Sequence, residues 1–180
     1  MKKKFLTLVI CALGTAMVFA LAGCGANLDR DVTIQNMSLS VPSNWEEKPS
    51  DSNSDTSGNI WFEDVDEDND EDVFNAIYVT YQKVDLSDTS TAKQALDAKQ
   101  AKLESDYEIT NWDVDDSNEQ VIDGAKVTTY EYSFEKVIDH VTQKYEFKTA
   151  YVYTPIMHFE IQVYGDAASI NDVVKSIEFL

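Results

Sequence analysis

Asp123-Gly124, followed by Ala125-Lys126-Val127-Thr128-Thr129-Tyr130-Glu131-Tyr132-Ser133-Phe134-Glu135-Lys136, is the stretch that decides the fold. Asp-Gly is a hairpin signal, because both central positions of a type I′ turn need positive φ. The run after it has a period of two. Tyr130, Tyr132 and Phe134 fall on one face, and Glu131, Ser133 and Glu135 on the other. That alternation predicts an antiparallel strand with one buried face.

The same pattern extends in both directions. Val141 to Tyr153 repeats it with Tyr145, Phe147, Tyr151 and Tyr153, and Ile156 to Tyr164 aligns Phe159, Ile161 and Val163. Upstream, Tyr107 to Val114 and Glu119 to Ile122 read as two strands. Val73 to Lys83 is a strong strand, and Asn59 to Glu63 a short one around Trp61 and Phe62. Asp31 to Val41 gives one or two short strands, closed by a turn at Pro42-Ser43-Asn44, with Trp45 folding back onto the core. Glu46 to Gly58 is rich in Ser, Asp and Asn and reads as a loop. Two helices complete the order. Ser90 to Asp106 begins with a capping box, Thr91 with Gln94, and has a thin apolar stripe interrupted by Lys99. The closing helix is capped by Asp166 and buries Ile170, Val173, Val174 and Ile177. Strands, a helix, a run of antiparallel strands and a last helix make an α+β domain, an antiparallel sheet with flanking helices.

Val41-Pro42-Ser43-Asn44-Trp45 after the opening strands, the Asp123-Gly124-Ala125 hairpin and the closing Val173-Val174-Lys175-Ser176-Ile177-Glu178-Phe179 carry a resemblance. In that order they resemble the PsbP-like/Mog1-like domains, over most of residues 31–180. The resemblance implies an α/β/α sandwich of a kind common in exported bacterial lipoproteins. Because that family consists mostly of non-enzymatic scaffolds with differing partners, it implies a fold far more than a function.

The N-terminus addresses the chain. Lys2, Lys3 and Lys4 precede an uncharged apolar run from Phe5 to Ala20, and Leu21-Ala22-Gly23-Cys24 follows. This is the layout of a cleaved export signal. The last four residues resemble the lipobox of bacterial lipoproteins, which implies a diacylglycerol on the Cys24 sulfur and cleavage just before it. The alternative is an uncleaved transmembrane helix, since an apolar run of about 18 residues is just long enough to span. The expected division is a signal peptide over 1–23, a lipidated cysteine and short tether over 24–30, and one globular domain over 31–180. The expected location is the extracytoplasmic face of a cell membrane, where two acyl chains hold stably.

Charge narrows the partners. With the three signal lysines gone, 11 basic side chains face 33 acidic ones, a net charge near −22. Such a surface repels nucleic acid and anionic lipid head groups. Of the two cysteines, Cys11 leaves with the signal and Cys24 is alkylated, so the fold rests on its core without a disulfide.

Few residues suggest chemistry. Asp64, Asp66, Asp68 and Asp70 alternate as in an EF-hand loop, but Asn69 stands where the loop glycine belongs and Asn75 where the bidentate glutamate belongs. They are weak metal candidates within a solvated acidic run from Glu63 to Asp72. His140 and His158, the only histidines, lack spaced co-ligands or a nucleophile and read as surface or hydrogen-bonded side chains; His158 shares a polar strand phase with Glu160 and Gln162. Trp45 and Trp112 border loops and are the candidate ligand-binding aromatics. The sequence thus predicts no cofactor and no catalytic centre. It predicts a membrane-anchored, non-catalytic binding or accessory module for a protein or envelope component. The alternative is a lipoprotein that binds a small ligand, a sugar or a divalent cation.

Overall fold

The computed structural model describes residues 27–50, 53–64, 75–165 and 167–180. Among these residues ten strands and two helices follow one another: β1 (Leu28–Ile34), β2 (Met37–Pro42), β3 (Glu46–Pro49), β4 (Ser57–Glu63), β5 (Ala76–Lys83), α1 (Ala92–Tyr107), β6 (Thr110–Ile122), β7 (Ala125–Ile138), β8 (Val141–Tyr153), β9 (Met157–Tyr164), α2 (Ile170–Lys175) and β10 (Glu178–Phe179). Seven strands form one sheet in the order β3-β4-β5-β9-β8-β7-β6, and β1-β2-β10 form a second. Every pairing is antiparallel.

The large sheet is the middle layer. On one face Phe62, Ile77, Val79, Val127, Val152, Phe159 and Ile161 meet Met37, Leu39 and Val41 of the small sheet and Ile170, Val173 and Val174 of α2. On the other face Tyr132, Phe134, Tyr145 and Tyr151 meet Ala92 and Leu96 of α1. The expectation of one buried face per strand is therefore corrected. Strand β7 buries both of its phases, and Ser133, on the side expected to be wet, is 3 % exposed. A sheet covered on both faces has no solvent side over its centre.

Hairpin geometry follows the turn residues. Asp123 (φ 48°) and Gly124 (φ 85°) close β6 onto β7, and Asp139 and His140, also at positive φ, close β7 onto β8. Helix α1 carries the expected capping box: Thr91 Oγ1 accepts from the Gln94 N–H at 3.3 Å, and the Thr91 N–H donates to Gln94 Oε1 at 2.9 Å. It ends at Glu108, in the left-handed region at φ 54°. Only Ala92 and Leu96 of its 16 residues are buried, so the thin stripe is real. For α2, Ile170, Val173, Val174 and the following Ile177 are all buried. Its N-cap is Ser169, and Asp166, the expected cap, lies outside the described residues.

Three local expectations differ from the structure. Residues 28–30, read as tether, already belong to β1, and Leu28 pairs with Pro42. Asp29 fixes this entry: its carboxylate accepts from the Ser43 N–H at 2.7 Å and the Ser43 hydroxyl at 3.0 Å. Those bonds hold the Asp29 carboxyl below the usual range. Residues 46–49, read as loop, form β3, which is exposed throughout and paired with β4. A strand wet on both faces shows no apolar alternation. Its ladder and the Lys48–Glu63 bridge at 2.5 Å hold it. Residues 110–122, read as two strands, are one strand with irregular register before Asp116.

Candidate functional site

The α1 side of the sheet gathers the groups that could do chemistry. Gln162 sits at its centre, only 7 % exposed, whereas its strand phase reads as polar. Its amide nitrogen donates to Tyr132 Oη and to Thr149 Oγ1, both at 3.2 Å, and its oxygen accepts from Tyr164 Oη at 3.0 Å. Burial of these groups is tolerable because each is paired inside the fold. Beside them, Lys99 reaches down from α1 to pair with Glu160, and its ammonium lies 6.0 Å from the Tyr132 ring centroid. The lysine that interrupts the helix stripe is thus a docking contact. Glu160 lies near Tyr151 and Tyr153, and burial pushes both phenols up, Tyr153 to about 12. At neutral pH both phenols stay protonated.

One aromatic ring per strand forms a row across six neighbouring strands. Trp61 of β4 stacks on Tyr78 of β5 at 4.1 Å and meets Tyr164 of β9 at 5.5 Å. Tyr164 meets Phe147 of β8 edge-on at 6.3 Å. Phe147 stacks on Tyr132 of β7 at 5.5 Å, and Tyr132 on Trp112 of β6 at 4.7 Å. Such cross-strand pairs stabilise a sheet by about 0.2–1 kcal/mol each. No single stretch of sequence announces this row. It exists only once six strands stand in register.

The candidate residues do not converge. Trp45 is 2 % exposed in the main core, and its carbonyl accepts from the Arg30 guanidinium at 3.0 Å. As a ligand candidate Trp45 is therefore corrected, because a platform needs an open ring face. Trp112 is half-buried, stacked on Tyr132 and parallel to Phe134 at 6.2 Å. His140 is exposed at a hairpin tip, and His158 packs edge-on against Tyr153 at 4.1 Å. Asp64 stands at the foot of the acidic loop, its N–H donating to the Asn75 carbonyl at 3.1 Å. Asp66, Asp68 and Asp70 lie outside the described residues, as does Cys24. Among the described residues no three His, Cys, Asp or Glu side chains gather to hold a metal, and no helix is long and apolar enough to cross a membrane. Two open depressions are found among the described residues. One, of about 430 Å³, is lined by Asn27, Leu28, Ser40, Asp172, Lys175 and Ser176. The other, of about 210 Å³, lies between Asp116, Ser117 and Asn118 of β6, Thr129 and Glu131 of β7, and Asn171 of α2.

No family model matches the chain, and no curated protein matches it. Among solved structures it is similar to the solution structure of cyanobacterial PsbP (CyanoP) from Synechocystis sp. PCC 6803, with a TM-score of 0.57 at 11 % identity over 92 % of this chain and 98 % of that one. The fold is PsbP-like. An identity this low carries architecture and not residue roles. The buried network of this PsbP-like domain, Gln162 with Tyr132 and Thr149, therefore has to be understood from its own contacts.

Two outcomes test that reading. Gln162→Leu keeps the volume but leaves the Tyr132 and Thr149 hydroxyls without their amide, so stability should fall by about 1–3 kcal/mol. A denaturant melt equal to wild type would show that the network is not structural. The second concerns pH. Burial lowers the His158 pKa below 6.5, against the opposing pull of Asp88. Below pH 6.5 the unfolded chain takes up a proton that the folded chain refuses. The His158 contribution is thus full above pH 6.5 and declines as pH falls through the window beneath it. Compared with wild type, His158→Gln should melt with a flatter pH dependence between pH 7 and 5. An unchanged slope would contradict the assignment.

Proposed function

We propose that the chain is a lipoprotein held through Cys24 on the extracytoplasmic face of a cell membrane, where it acts as a non-catalytic binding or accessory module for a protein or envelope component. One observation carries the reading. Strand β1 begins at Leu28, so only Gly25, Ala26 and Asn27 separate Cys24 from the sheet. At about 3.3–3.6 Å per residue, Cys24 to Leu28 spans at most ~14 Å. That reach would keep the Leu28–Pro42 end of the small sheet near the bilayer. Gln162, Glu160 and Lys99, the polar groups inside the α1 face, are engaged in holding the fold.

Cys24→Ala in the full chain tests this. Expressed in a bacterium that processes lipoproteins and fed an alkyne fatty acid, wild type should label and stay with membranes through a high-salt wash. The variant should remain an unlabelled precursor. A variant of mature size that still carries label would refute the anchor.

A further inference from the structure

We propose that β6 is a docking edge that accepts a basic extended segment of a partner protein as an eighth strand. The inference rests on the protein-binding reading above but not on the lipid. Strand β6 ends the large sheet, and no described element pairs with its outer side. The direction of its outward groups can be read from one contact. The Ser117 N–H donates to the Asp116 carboxylate at 2.7 Å and so points away from β7. The period of two then turns the amides of Glu119 and Val121 outward as well. From Asp116 to Ile122 the pairing with β7 runs without a register shift, giving seven regular residues and about 23 Å of edge.

Charge selects the partner. Strand β6 carries Asp113, Asp115, Asp116 and Glu119 and no basic residue. A second copy paired edge to edge would set acid against acid. A lysine- or arginine-bearing strand is complementary. The 210 Å³ groove beside the edge adds the Asp116 and Glu131 carboxylates and the Asn118 and Asn171 amides, a set of oxygens suited to a cationic side chain. Glu131 already meets Lys148 at 3.0 Å and Glu119 meets Lys126 at 2.8 Å, so Asp116 is the groove's uncompensated carboxylate. Val121, 71 % exposed on the same edge, offers an apolar contact to an alternating partner. In the free protein Asp116 covers the Ser117 amide, which blunts the edge. A partner cation would draw that carboxylate into the groove and release the amide. The opposite edge lacks these features: β3 has four residues and ends in Pro49.

The test uses the full chain in detergent and a fluorescent peptide of alternating lysine and valine, with a glutamate–valine peptide as control. Val121→Pro removes an outward amide without touching the ladder to β7, so the fold should tolerate it. Anisotropy should show saturable, salt-sensitive binding of the lysine peptide alone. The affinity should fall at least tenfold in Val121→Pro and, separately, in Asp116→Asn, a variant that leaves the backbone alone. Hydrogen exchange at Glu119 and Val121 should slow when the lysine peptide binds. Equal binding by both peptides, binding untouched by either variant, or no saturable binding would overturn the proposal. A dimer seen by ultracentrifugation and broken by Val121→Pro would give the edge to a second copy instead. Fatty-acid labelling of Cys24 is independent of all these outcomes, so loss of one reading does not entail loss of the other.

Discussion

Val174→Asp should cost ~3 kcal/mol or more and bring a domain of ordinary stability close to unfolding. Val174 is 1 % exposed, in a helix of only six residues that packs against β2 and β8. Its neighbours Ile170, Val173 and Ile177 are apolar and buried, and the helix's one cation, Lys175, is exposed and already paired with Asp172 at 3.0 Å, so the buried carboxylate gains no partner among them. The sign with pH is fixed. Burial raises the pKa of the new carboxyl in the folded state above its unfolded value, so the deficit is largest at neutral pH and shrinks as pH falls. Chemical denaturation at two pH values checks both statements. A variant that melts like wild type at neutral pH would mean that the face of α2 is wrongly assigned.

Trp45→Ala should be comparably severe, at about 3–5 kcal/mol, since a large buried ring leaves both lost transfer energy and a cavity. Trp45 is among the largest fully buried side chains, and Arg30 fixes its backbone from β1. The same variant separates the two roles that the sequence allows this residue. A ligand-platform tryptophan would be half exposed, and its loss would leave the melting temperature nearly unchanged. A core tryptophan should lower it by about 6–20 °C, at roughly 2–4 °C per kcal/mol. Measured stability equal to wild type would return Trp45 to the candidate site.

What could be read beforehand follows a physical rule. Strands β7 and β8 and helices α1 and α2 were legible because each has local signals: alternation, a capping box, an apolar stripe. Strand β3 was not, because Glu46 to Pro49 is wet on both faces and only its pairing with β4 makes it a strand. Strand β6 read as two pieces for the same reason, its middle being an exposed sheet edge without apolar residues. Gln162 looked like surface. Its partners Tyr132 and Thr149 stand 30 and 13 residues away, and no local pattern links them. Ser133 was misassigned because alternation shows which side chains share a face, not how many layers cover the sheet. The aromatic row from Trp61 to Trp112 needed the strand order, which no one-dimensional pattern contains.

The proposed anchor on Cys24 would hold the PsbP-like domain, whose first strand begins at Leu28, close to a bilayer. Mass spectrometry of the N-terminal peptide, after the full chain is expressed in a lipoprotein-processing bacterium and extracted from its membranes, tests it most directly. Lipidation at Cys24 predicts a peptide that begins at Cys24 and carries a diacylglyceryl group on the sulfur. A peptide that runs through Cys24 with residues 1–23 still attached and the thiol unmodified would contradict it.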